Sequence, residues 1–492
     1  SVFATSYVTI PLQRAKPRSV LMSHDLYHAL VTAHGLTMLL LFGTPVEFAF
    51  ANYLVPLLIG AEDMAFPRIN AIAFWLLPPG ALLVWGGFLL APFHLGVHPA
   101  ATGWTMYEPL TESMPNPGVD LMLLGLHLTG LSSTMAAINV IVTVFTERAE
   151  QVTWGKLDIF TWTMLTTSGQ VIFSFPLLGS AIVMVLLDRN FGTTFFQVPG
   201  RGPILWQNLF WFWGHPEVYI LILPPMGIVS LLLPRFTNRR LWGFRAVVYS
   251  TLAIGVLSFG VWAHHMFATG LDPRIKLSFM AVTLAIAVPS AVKVFNWTAT
   301  LYFADIRITA PLLFCIGFIS NFIVGGITGV FQAAIPVDKV IHGTYWVLGH
   351  FHYMFMGGLV FAVFAGFYYW FPILTGRTYN KALALLHFWL TFVGANVTFF
   401  AFLLLGYAGM PRRYASYLPK FAALHQIATF GAYVIAAGQV LWIVNMLYSW
   451  QYGHRVESGD PWGLGEQNMR TREWQWFGQR QESKRRRETE GD

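Results

Sequence analysis

The chain is short of charge: Asp, Glu, Lys and Arg make up only 11% of its 492 residues, against 55% apolar ones. A soluble domain carries about 25% charged residues, so a water-facing globule is excluded as the main architecture. Cysteine is almost absent too. The single thiol, Cys315, lies in an apolar run, which excludes an intrachain disulfide, a cysteine-ligated cluster and a CxxC motif for thioether attachment. Its expected role is that of a small buried apolar side chain. No charged start followed by an apolar core stands at Ser1, so no cleavable signal peptide is expected. The formal charge of +7 is scattered over short loops and forms no basic patch interleaved with aromatics, which argues against a nucleic-acid partner.

What the chain has is apolar length. Runs bounded by charged or Pro/Gly-rich breaks fall near 28–59, 70–95, 118–146, 160–187, 206–233, 243–268, 278–302, 309–334, 342–372, 382–408 and 421–450. Each is long enough to cross a hydrocarbon core of about 30 Å. The segment from Ser1 to Leu12 is apolar but too short to span alone, and is expected to be the remaining end of a first helix. The fold class is therefore an all-α integral membrane protein, a bundle of about twelve helices in lipid over residues 1–450, with a polar cytoplasmic tail over 451–492 that is expected to be solvated and available to other subunits. Basic residues favour the cytoplasmic side. If the first helix begins inside, ten basic loop residues, Arg68, Arg148, Arg235 and Arg377 among them, fall inside with the tail run Lys484 to Arg487, and fewer, Arg14, Arg189, Arg201, Arg412 and Arg413 among them, fall outside.

Ionisable side chains are costly in a bilayer and usually face a cofactor, a partner or a water path. Here His34, His215, His264, His265, His350 and His352 all lie within or near the ends of apolar runs, and imidazole is the commonest protein ligand of transition metals. In Gly349-His350-Phe351-His352 the two histidines point to nearly opposite sides of a helix that turns about 100° per residue. They cannot chelate one ion, but they can serve two centres on either side, such as two haems held by axial histidines. His264 and His265 differ by about 100° and can share a metal where the helix is irregular or where the ion sits between their arcs. His215, in Trp213-Gly214-His215-Pro216-Glu217-Val218-Tyr219, supplies a third ligand, and Tyr219 shares its face four residues on. Three neutral imidazoles suit copper-like redox chemistry, and they also fit zinc.

The segments Trp211 to Tyr219, Val261 to Phe267 (VWAHHMF) and Gly343 to Tyr353 (GTYWVLGHFHY) resemble signature segments of subunit I of the haem-copper oxidases, and the resemblance runs from about Leu12 to Gly463. It implies a respiratory enzyme that reduces dioxygen to water and moves protons. It implies that His34 and His352 hold a low-spin haem, that His350 is the proximal ligand of a high-spin haem, and that His215, His264 and His265 bind the copper facing it. Tyr219 would be the tyrosine that is covalently joined to the copper-binding histidine in this family. The haems are expected to be A-type.

The same resemblance assigns two proton paths. Asp63 would be the entrance of one, with Asn52, Asn70 and Asn139 as its asparagines, Ser132 and Ser133 as water-lining hydroxyls, and Glu217 as the carboxylate at its inner end. Lys293, with Ser290 and Ser230, would belong to the second. Arg412 and Arg413 would pair with haem propionates, beside Trp104. One position departs from the family: Gly343 follows His342 where an aspartate is usual, so the non-redox magnesium site is not expected. Implied partners are a subunit II, either CuA-bearing or quinol-type, a subunit III, and a donor that is cytochrome c in preference to quinol. A prokaryotic plasma membrane is expected before a mitochondrial inner one. The relative that reduces nitric oxide with haem and non-haem iron is not expected to carry His-Pro-Glu-Val-Tyr with both channel sets. A cofactor-free transporter would show broken helices and repeated halves, and neither is visible.

Overall fold

In the computed structural model, which describes residues 4–18, 21–197, 202–465 and 471–489, the elements are helices connected by short loops. Arg201 lies outside the described residues. A π-helical stretch, Ala4–Thr9, runs into α1 (Ile10–Arg14). Then come α2 (His24–Ile59), α3 (Pro67–Val84), α4 (Pro117–Thr146), α5 (Ile159–Phe191), α6 (Gly202–Thr237), the shorter α7 (Phe244–Gly260), α8 (Pro273–Leu301), α9 (Ala310–Ala333), α10 (Tyr345–Thr375), α11 (Lys381–Tyr407) and α12 (Pro419–Tyr452). Among the described residues, ten of these are long and apolar enough to cross a membrane. With α1 and α7 they make the expected bundle, and the chain is an integral membrane protein.

Helix ends follow local sequence. Asp158 starts α5 by accepting from the Thr161 N–H at 2.8 Å, and Asn380 starts α11 by accepting from Leu383 N–H at 3.1 Å; each satisfies a backbone donor that the first turn leaves unpaired. Gly60 ends α2 with φ +75°, a left-handed turn that favours glycine. Burial sorts the helices. In α6 and α10, 89% of the most apolar window is inside the protein, whereas in α8 only 6% is. The first two therefore form the centre, and α8 faces outward.

Where the backbone leaves α geometry, it does so beside the interior. Thr37–Gly43 within α2 and Phe355–Val360 within α10 are π-helical, and α6 is interrupted between Ile220 and Leu223. Such irregular turns are tolerated at membrane depth where protein or a cavity surrounds them.

Three expectations from sequence change. Arg14 is not a loop charge: it is buried, donating to the Tyr27 hydroxyl at 2.7 Å and the Tyr414 carbonyl at 2.5 Å. Arg189 closes the end of α5 against the loop before α4, with its side chain 6% exposed and paired to Asp120 at 2.7 Å. The tail is not wholly solvated, because α13 (Arg472–Thr489) returns to the bundle with Glu473, Trp474 and Phe477 buried. Trp370 Nε1 and the Thr471 hydroxyl donate to Glu473, while burial pushes its carboxyl above the usual range.

Arg189 also donates to the carbonyls of Thr111, Met114 and Asn116. Removing one partner of a buried, hydrogen-bonded pair costs roughly 3 kcal/mol or more. Arg189→Ala is expected to lower the thermal midpoint of the detergent-solubilised protein and to expose the 105–116 loop to protease.

Candidate metal and cofactor site

An internal cavity of about 1420 Å³ runs between α2, α6, α8, α9 and α10, and all six histidines singled out from the sequence line it. His215 Nδ1 lies 3.1 Å from His265 Nε2, and His264 Nε2 lies 3.2 Å from the same atom. One nitrogen from each of the three lies within 4.8 Å of the others. The local fold explains this convergence. Trp262–Met266 is a 3₁₀ turn following α7, which supplies the irregularity that two adjacent histidines need to face one point. Trp211 stacks on the His265 ring at 3.8 Å and 13°, and His264 Nδ1 is 3.0 Å from the Thr283 hydroxyl. Tyr219 is where helical spacing puts it, its ring 4.7 Å from that of His215.

His350 and His352 turn to different sides, as their spacing requires. His350 Nδ1 donates to the Gly325 carbonyl of α9 at 2.8 Å. His352 Nδ1 donates to Leu348 O, also at 2.8 Å, and its ring packs 5.2 Å from Phe399 of α11. In both, the backbone takes the Nδ1 proton and leaves Nε2 as the ligand nitrogen. His34 approaches from α2. Beside it a Cβ on Gly35 would stand 2.8 Å from Trp104 Cβ, so glycine lets the 102–107 loop close over this end of the cavity. The Thr32 hydroxyl pins that loop by accepting from Gly103 N–H at 2.9 Å.

Arg412 and Arg413 line the same end. Arg413 Nη2 donates to Thr105 Oγ1 at 3.0 Å. Burial, with Arg413 adding, pulls the Arg412 guanidinium down to about 9. Among the described residues neither has a carboxylate within ion-pair distance, so the cavity presents two forked cations toward any anionic group that enters. Gly343 adopts φ +69°, and its carbonyl accepts from Arg412 N–H at 2.9 Å. The carboxylate beside His342 comes from one turn earlier, where Asp338 Oδ2 lies 3.0 Å from His342 Nδ1.

Two further groups of sequence candidates separate cleanly. A groove of about 500 Å³ is lined by Asn52, Asp63, Asn70, Ser132 and Ser133. Asn139 is not in its lining. Its amide instead clamps the loop after Asp63, accepting from Phe66 N–H at 2.9 Å and donating to Phe66 O at 3.3 Å. Glu217 lines the large cavity and accepts from Thr44 Oγ1 at 3.1 Å. Lys293 is fully buried, with Nζ 3.5 Å from Met226 Sδ. One turn on, Trp297 Nε1 donates to Ser230 Oγ at 2.8 Å, so Lys293 and Ser230 lie one turn apart along the same α6–α8 contact. Ser290 lines the cavity, its hydroxyl donating to Ile286 O at 3.2 Å.

Sequence reading missed Arg14, Thr44, Glu47 and Asp338. Glu47 was legible by the rule that found the histidines, since it interrupts an apolar run. The other three acquire their roles only from neighbours distant in sequence.

The three converging nitrogens make a site for one transition-metal ion. His264→Leu is expected to remove one equivalent of bound metal per chain, read by elemental analysis of the purified protein, with the helical content unchanged.

Comparison with known proteins agrees. The family described as Cytochrome C and Quinol oxidase polypeptide I matches residues 4–434. Cytochrome c oxidase polypeptide 1 of Halobacterium salinarum is 61% identical over 98% of this chain and 81% of its own length. Cytochrome c oxidase subunit 1 of a Synechocystis species is 43% identical over 94% of this chain and 82% of its own length. A cryo-EM structure of a heme-copper terminal oxidase dimer shares the fold, with a TM-score of 0.77 at 21% identity over 91% of this chain and 80% of that one. The match spans most of the chain and includes the six histidines singled out from the sequence, and the chain belongs to the family of cytochrome c and quinol oxidase polypeptide I.

Proposed function

We propose that this chain is the catalytic subunit of a terminal respiratory oxidase that reduces dioxygen to water and moves protons across the membrane. The observation that carries the reading is the cavity that gathers the three-imidazole cluster with His34, His350, His352 and the Arg412–Arg413 pair. The residues fit the groups the family implies. His34 and His352 would hold a low-spin haem, and His350 a high-spin haem; in His350 and His352 the backbone hydrogen bond at Nδ1 leaves Nε2 for this. Arg412 and Arg413 would meet the haem propionates, with Trp104 against them. His215, His264 and His265 would hold one copper ion. When bound, these groups supply the electrons that dioxygen needs.

The chain's own residues supply position and protons. Tyr219 stands against His215 with its phenol as a proton and electron donor, and its covalent link to that histidine is part of this reading. Asp63 takes protons from the cytoplasmic side, and the groove of Asn52, Asn70, Ser132 and Ser133 leads them toward Glu217; Asn139 shapes the loop at the entrance. Lys293, with Ser230 and Ser290, carries protons to the cavity from another side. Asp338 is committed to His342, and no magnesium is assigned there. The names of the relatives favour cytochrome c over a quinol as electron donor. A-type haems and partner subunits II and III complete the reading. An archaeal and a cyanobacterial relative favour a prokaryotic plasma membrane.

A reduced-minus-oxidised spectrum with carbon monoxide, with metal analysis of the same membranes, tests this. Two haems, one of them binding carbon monoxide, and one copper in this chain are expected. Iron in place of that copper would move the chain to the nitric oxide reductases, and absence of haem would overturn the proposal.

Tyr219→Phe keeps the ring and removes the acidic hydroxyl. Loss of a positioned proton donor lowers turnover by about 10²–10⁴-fold. Oxygen consumption is expected to fall on that scale while both haem spectra persist.

A further inference from the structure

The strongest unexplained feature is Glu47 on α2. Its side chain is 1% exposed, and neither carboxylate oxygen has a hydrogen-bond partner among the described residues. A carboxylate so placed in a membrane is too costly to keep charged, so the group stays as the neutral acid with its proton in place. Nothing in the packing calls for an acid here. A leucine or methionine would fill an apolar helix face of this kind without that cost.

Its position gives it a use. One stretch of α2 lines the large cavity through Gly35, Met38, Leu39 and Phe42. The next stretch lines the groove under Asp63 through Pro45, Phe48, Ala49 and Asn52. Glu47 lies within that second stretch, and it lines neither space. Thr44, one turn before it on the same helical face, donates to Glu217 at 3.1 Å. Glu217 is also the ionisable group that acts on Glu47 electrostatically. Thr44 thus joins Glu217, which lines the cavity, to the face of α2 that carries Glu47 beside the groove-lining residues Pro45 and Phe48.

We propose that Glu47 is a second internal proton carrier of the Asp63 path, holding a proton between the groove and the Thr44–Glu217 contact. It gains a proton from the groove side as it passes its own toward Thr44, so its charge is restored in each cycle and no electron moves. This rests on the oxidase reading above, and the experiment separates the two.

The test uses the whole complex in membranes. Redox-induced infrared difference spectra are recorded in the carboxylic C=O region with exchange into deuterium oxide, and oxygen uptake and proton ejection are measured alongside. Glu47→Gln keeps the shape and removes the exchangeable acid proton. It is expected to delete one deuterium-sensitive carboxylic band and to reduce both turnover and proton ejection several-fold, with unchanged haem spectra. Glu47→Asp should restore part of both. If Glu47→Gln retains wild-type bands, turnover and ejection, the proposal fails. Should Glu47→Gln assemble without haem, Glu47→Asp decides: a shifted carboxylic band supports the proposal, and a spectrum identical to wild type overturns it. Asp63→Asn is the control. If it slows turnover and Glu47→Gln does not, the uptake path stands without Glu47; if neither slows turnover, the path itself is misassigned.

Discussion

The fold is governed by the cost of leaving polar groups unpaired in hydrocarbon. Every backbone amide must be bonded within its own helix or inside the protein, and every charged or polar side chain must turn inward or reach an interface. A chain that keeps six imidazoles, a lysine and several carboxyl groups at membrane depth can satisfy that demand only by enclosing polar space. It encloses two. The large cavity collects the histidines, Tyr219, Glu217 and the arginine pair, and the groove collects the asparagines and serines near Asp63. The helices that carry most of this load, α6 and α10, are the most buried, while α8 exposes nearly its whole apolar surface and turns Lys293 to the interior.

Much of this was legible in the sequence. The apolar runs gave the helix count, because length against bilayer thickness is a strong constraint. Helical rotation put His350 and His352 on different sides, and the two rings do meet different neighbours, α9 and α11. Of the two ways in which His264 and His265 could face one point, an irregular backbone is the one present, as a 3₁₀ turn. Where sequence reading fell short, the cause was the same each time: charge was judged by its place along the chain. Arg14 and Arg189 stand near helix ends and read as loop cations, yet contacts with Tyr27 and Asp120 bury them. The tail reads as polar, yet Trp474 and Phe477 anchor it. Local pattern cannot report a partner that only the fold supplies.

The hydrogen bonds around the ligands also divide the labour between precision and reach. Imidazole orientation at His350 and His352 is fixed by backbone carbonyls, which cannot change rotamer, and His265 is held flat by the Trp211 ring. The 102–107 loop and the Arg413 guanidinium, by contrast, are tied by hydroxyls of Thr32 and Thr105. Ligand nitrogens must meet a metal within a few tenths of an ångström, while forked guanidinium groups accept an anion over a wider range of approach. Rigid supports therefore sit under the ligands and softer ones under the anion-binding end.

One helix has to serve both polar spaces, and α2 manages it through its backbone. Its first half aims His34 and Gly35 into the cavity, and its second half aims Asn52 into the groove. An uninterrupted α-helix keeps one stripe on one side along its length, so it would present both sets to the same space. The π-helical stretch Thr37–Gly43 lies between the two halves. Each residue that a π turn inserts advances the following face by about 100°, which swings the second half away from the cavity and toward α4. That rotation leaves Thr44 and Glu47 in the wall, facing α6, where a polar side chain can reach Glu217 without opening the groove to the cavity. A pump needs such a wall, since a continuous water column between uptake side and reaction site would let protons run back. The irregular turn is therefore what allows a single helix to aim His34 into the cavity, line the groove with Asn52 and keep the two spaces apart.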